Sequence, residues 1–94
     1  MFQVLRLRIE GRVQGVGFRW SALAEAQRRG LQGWIRNVAT GEVEALVEGP
    51  RASVAEFVAY CRHGPPGAQV SRVVVTEADS TGALGDFRVE HGNA

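Results

Sequence analysis

The sequence predicts an α/β sandwich in which two helices cover one face of an antiparallel sheet, in the order β-α-β-β-α-β with a possible short extra strand at the end. Three observations predict it. Apolar and charged residues alternate through 3–11, 42–48 and 70–77, the period of half-buried strands. After Phe18 and again after Pro50, apolar residues recur every three or four positions, the period of a helix facing a core. With 94 residues, there is enough chain for one sheet and two helices but not for two cores, so a single domain over 1–94 is expected.

The first strand is placed at about residues 3 to 11, where Leu5, Leu7 and Ile9 alternate with Arg6, Arg8 and Glu10. Trp20, Leu23, Ala24 and Gln27 give the first helix its spacing, good helix formers fill the positions between, and Gly30 ends it. Gly33 to Val38 reads as the second strand, Ala39-Thr40-Gly41 as a turn, and Glu42 to Glu48 as the third strand, with Val43, Ala45 and Val47 on one face. Gly49-Pro50 breaks that strand, and Val54, Phe57, Val58 and Cys61 form the stripe of a second helix that stops near His63-Gly64-Pro65-Pro66-Gly67. Val70 to Glu77 follows as a strand, with Val73 and Val75 on one side and Val70, Arg72 and Val74 on the other. A loop over 78–85, a short strand Phe87 to Val89 and a frayed tail complete the chain. This order is that of the ferredoxin-like plait.

Composition narrows the chemistry. All eleven basic residues are arginine, which excludes Schiff-base and P-loop lysine chemistry. Cys61 stands alone, so there is no intrachain disulfide and no cysteine-clustered metal, and its helical stripe points to a buried thiol. A net charge of +1 gives no reason to expect a nucleic acid or an anionic membrane as partner. With neither a signal segment nor a membrane-spanning run, a cytoplasmic monomer is expected. His63 and His91 fall near element ends and form no cluster, so neither a metal nor another cofactor is expected.

The run Gly11-Arg12-Val13-Gln14-Gly15-Val16-Gly17-Phe18-Arg19 carries the most chemistry. Closely spaced glycines let successive backbone N–H groups curve around an anion, and the arginine adds a planar fork matched to phosphate oxygens. A helix starting directly afterwards adds its own unpaired amides. Phe18 reads first as a core anchor for this loop. In Gly33-Trp34-Ile35-Arg36-Asn37, the Asn37 amide either orients a water or satisfies backbone groups beside the Thr40-Gly41 turn, Trp34 packs, and Arg36 pairs with a glutamate. The reaction that needs so little apparatus is hydrolysis of a carboxylic-phosphoric anhydride, whose carboxylate leaving group has a conjugate-acid pKa of about 4 and departs unprotonated.

These two segments resemble the signature motifs of the acylphosphatases, the second with its following Gly41, and the resemblance covers almost the whole chain. It implies a ferredoxin-like sandwich that hydrolyses small acyl phosphates without a cofactor. It further implies that Arg19 binds the phosphate together with backbone amides from Gln14, Gly15, Val16, Gly17 and Phe18, and that Asn37 positions the attacking water. Thr40-Gly41 departs from the aspartate-glycine pair frequent in the family, and Trp20-Ser21-Ala22 carries less aromatic bulk than many relatives do. Two alternatives stay open: a module directed at carbamoyl phosphate, and a non-catalytic RNA-binding or interaction domain.

Overall fold

In the computed structural model, which describes residues 1–80, 82 and 84–91, the alternation of Leu5, Leu7 and Ile9 builds an eleven-residue strand, β1 (Phe2–Arg12), with those side chains in the core. It is followed by α1 (Phe18–Arg28), β2 (Gln32–Asn37), β3 (Val43–Pro50), α2 (Arg51–Cys61), β4 (Gln69–Glu77) and β5 (Arg88–Glu90). The sheet order is β4-β1-β3-β2-β5, and every pairing is antiparallel except that of β5 with β2. This is the ferredoxin-like arrangement with its extra strand. Of the expected 78–85 loop, residues 81 and 83 lie outside the described residues, as do 92–94 of the tail.

Helix α1 packs across β2 and β5, and α2 across β1 and β3. Between helices and sheet lie Leu7, Ile9, Ile35, Val43 and Val47 from the strands and Phe18, Val54, Phe57 and Cys61 from the helices, all at most 1% exposed. Each large side chain so buried contributes about 1.5–3 kcal/mol. Burial pushes the Cys61 thiol up to about 12, with the Glu25 charge adding to the effect, so it stays protonated and inert as the helical stripe suggested. Ser21 and Tyr60 join α1 to α2 by a hydroxyl–hydroxyl hydrogen bond. Among the described residues, no helix is long and apolar enough to cross a membrane.

Three expectations need correction. Helix α1 buries Phe18, Ala22 and Ala26 rather than Trp20, Ala24 and Gln27, because two alanines let its axis approach the core closely. Gly49 and Pro50 do not break β3. They still pair with Gln3 and Phe2, and Pro50, which lacks an N–H, leads directly into α2. Val70 packs on the core side with Val73 and Val75, because the register slips between Glu10 and Gly11 and reverses the alternation beyond that point.

The face of the sheet away from the helices is charged but largely neutralised. Glu44, 5% exposed, accepts hydrogen bonds from Arg36 Nη2 at 2.8 Å and Arg6 Nη1 at 3.0 Å. Burial alone would raise its pKa, yet the hydrogen bonds and charges of Arg36 and Arg6 hold it below the usual carboxylate value. The same two guanidinium groups lie 4.8 and 5.8 Å from the centroid of the half-buried Trp34 ring. Trp34 and Arg36 therefore take the packing and pairing roles read from the sequence.

Gly33 shows how tightly β2 lies against β3. Its φ is +137°, and a Cβ there would stand 1.8 Å from the carbonyl oxygen of Leu46. The Gly33→Ala variant is expected to lose about 3 kcal/mol or more, read as a lower urea midpoint at unchanged slope. A midpoint equal to wild type would show that the two strands can separate at no cost.

Candidate active site

Because β1 and β2 both run antiparallel to β3, they end at the same edge of the sheet. The loop after β1 and the turn after β2 therefore meet. Val13 and Phe18, each 1% exposed, anchor the loop at both ends. Between them Gly15 and Gly17 both have φ +76°, and nothing lies within 4 Å of a Cβ built at either. Conformation, not space, makes glycine necessary here.

Gly17 is also the residue that caps α1, in the left-handed conformation, with no side-chain cap and no acidic residue in the first turn. Among the described residues, the N–H groups of Gln14 through Trp20 have no backbone or side-chain acceptor, and the first amide to be paired is that of Ser21, onto the Gly17 carbonyl at 3.1 Å. Open amides and the positive end of the helix dipole thus coincide. The Gln14 side chain is occupied elsewhere. Its Nε2 donates to the carbonyls of Val38 at 2.8 Å and Glu42 at 2.9 Å, clamping the loop to the β2–β3 turn. Sequence reasoning missed this clamp, since a glutamine gives no sign of its partner until the strand register is known.

Arg19 is the second residue of α1 and is half-buried. While Arg6, Arg8, Arg28, Arg29, Arg36, Arg72 and Arg88 each face a carboxylate, Arg19 has none within 4.0 Å among the described residues. Its one hydrogen bond, from Nη1 to the backbone carbonyl of Glu90 at 3.5 Å, is long and leaves most donors of the fork available. Asn37 ends β2 on the same face as the fully buried Ile35, the helix side of the sheet. Its Oδ1 is buried and accepts no hydrogen bond among the described residues. The adjoining turn satisfies itself without that amide, through Val38 N–H to Glu42 C=O at 2.8 Å and Gly41 N–H to Val38 C=O at 2.9 Å. Among the described residues, Asn37 Oδ1 thus accepts no hydrogen bond from the turn.

A cavity of about 340 Å³ lies at the opposite end of the sheet and is lined by Phe2, Glu48, Arg51 and the 77–80 segment among others. It borders the first residue of α2, Arg51, but the carboxylates of Glu48, Glu77 and Asp79 also line it and oppose an anion. Chemistry favours the loop end. His63 is exposed beyond the end of α2, whereas His91 lies against Trp20 and directly follows Glu90, the β5 partner of Arg36 in β2.

Fold and site together define the class as a small phosphohydrolase built on a ferredoxin-like sandwich. A family model described as Acylphosphatase matches residues 5–89. An acylphosphatase of Anaeromyxobacter dehalogenans (strain 2CP-C) is 50% identical over 84 residues, 89% of this chain and 90% of the relative. One from Azoarcus sp. (strain BH72) is 54% identical over 79 residues, 84% of this chain and 81% of the relative. The crystal structure of acylphosphatase from Bacillus subtilis superposes with a TM-score of 0.90 at 39% identity, covering 96% of this chain and 99% of that chain. The present chain belongs to the acylphosphatase family, the enzymes that hydrolyse acyl phosphates.

Proposed function

We propose that the hydrolysis of small acyl phosphates takes place at the loop end of the sheet, with Arg19 and the amides of Gln14 through Phe18 holding the phosphoryl group and Asn37 holding the attacking water. The observation that carries this reading is the buried Asn37 Oδ1, without a partner among the described residues, at the edge where the open amides gather. A phosphoryl oxygen takes the place that water would have at each N–H, and the guanidinium fork donates to two of its oxygens. One O–H of water donates to Asn37 Oδ1, which turns an oxygen lone pair toward phosphorus on the side opposite the acyl oxygen.

Attack forms the bond from the water oxygen to phosphorus and breaks the bond from phosphorus to the acyl oxygen. The electron pair leaves with the carboxylate. One water proton passes to a phosphate oxygen, giving carboxylate and dihydrogen phosphate from the acyl phosphate dianion and water. No general acid is needed, because the leaving carboxylate has a conjugate-acid pKa of about 4. Arg19 and the amides act where charge builds on the phosphoryl oxygens. The same reading takes residues 1–94 as one domain working as a cytoplasmic monomer on a small molecule, with no metal, nucleic acid or membrane partner.

Acetyl phosphate hydrolysis followed in excess EDTA tests it. Undiminished turnover is expected. A folded protein inactive on acetyl phosphate with or without chelator would refute the reading, and activity abolished by EDTA would refute its metal-free form.

A further inference from the structure

We propose that Trp20 is the platform for the acyl group, its exposed indole stacking on the substituent and favouring aromatic over short aliphatic acyl phosphates. This rests on the reading of Arg19 as the phosphate ligand. Trp20 follows Arg19 in the first turn of α1, inside the stretch of open amides. Its side chain stands 54% exposed, whereas Phe18, two residues earlier, is 1% exposed. The exposed part of the indole is apolar surface that an aromatic acyl group on Arg19 would cover.

The indole is nonetheless held in place. Its ring centroid lies 5.9 Å from that of His91, with the planes tilted by 46°. His91 directly follows Glu90, whose carbonyl receives Arg19 Nη1. The end of β5 and the residue after it therefore contact both side chains. A phosphoryl group on Arg19 carries its acyl substituent a single bridging oxygen away, within reach of that ring. An aromatic acyl group offers a flat π-face for offset stacking, whereas acetyl offers one methyl.

The test compares kcat/KM for benzoyl and acetyl phosphate in wild type, Trp20→Ala, Trp20→Phe and His91→Ala. The ratio of benzoyl to acetyl is expected to fall about five- to tenfold in Trp20→Ala, through KM rather than kcat, and to be largely kept in Trp20→Phe. His91→Ala should give a smaller fall, since it frees the ring without removing it. An unchanged ratio, including equal losses on both substrates, would overturn the proposal and leave Trp20 as a prop for Arg19. Should Trp20→Ala fail to fold, the Trp20 indole N–H resonance of the wild type is titrated with phenylphosphonate and with inorganic phosphate. A larger shift with phenylphosphonate supports stacking, and equal shifts overturn it. Failure of the wild type on both acyl phosphates is a separate outcome that removes the phosphate reading and the platform with it.

Discussion

The Arg19→Ala variant is expected to hydrolyse acetyl phosphate with kcat/KM lowered by about 100- to 1,000-fold, the range found when a preorganised donor to a developing oxyanion is removed. Arg19 stands apart from the salt-bridged arginines because no carboxylate neutralises it among the described residues. Its loss therefore leaves the phosphoryl group to the amides alone, and KM should rise while kcat falls. Little stability is at stake, since among the described residues the side chain makes only the long hydrogen bond to Glu90. The unfolding midpoint should stay close to that of wild type. Arg19→Lys should recover only part of the loss, because an ammonium carries the charge but not the planar fork. Steady-state kinetics beside urea titrations read both quantities, and full activity in Arg19→Ala would mean that the phosphate binds elsewhere.

Asn37→Ala should show the opposite division of effects. A water that loses its positioning acceptor still reaches the phosphoryl group, but in many orientations, and kcat is expected to drop about 100-fold with KM almost unchanged. Asn37 Oδ1 accepts no hydrogen bond from the protein among the described residues, so the variant should be about as stable as wild type. Activity then falls while stability holds, an outcome that a merely structural asparagine would not give. A large fall in stability at normal kcat would reassign Asn37 to the turn. Asn37→Asp retains an oxygen but sets a negative charge near the phosphate, and it too should lose turnover.

Much of the fold was legible because β1 and β3 turn apolar side chains to the helices and mainly charged ones to the other face, so their alternation survives in the sequence even though β3 is buried on both faces. The same logic failed where alternation was reset. Gly11 introduces a register slip, and from there the parity of Val70 can be read only from its partner strand. The inward face of α1 was misread because Trp20 and Leu23 carry larger apolar side chains than Ala22 and Ala26, although small side chains are what a close helix contact needs. Within the site, Gly15 and Gly17 were legible since few residues other than glycine turn the backbone left-handed so cheaply. The Gln14 clamp and the unpartnered state of Asn37 Oδ1 were not, being properties of two segments brought together rather than of either alone.

The hydrogen bond from Arg19 to Glu90 spans 71 positions of sequence, from the first turn of the first helix to the last strand. A ribosome adding about 5–20 residues per second makes Arg19 roughly 4 to 14 s before it makes the residue that steadies that side chain. Nascent chains stopped short of β5 would then carry both motifs and yet lack the carbonyl that Arg19 Nη1 meets.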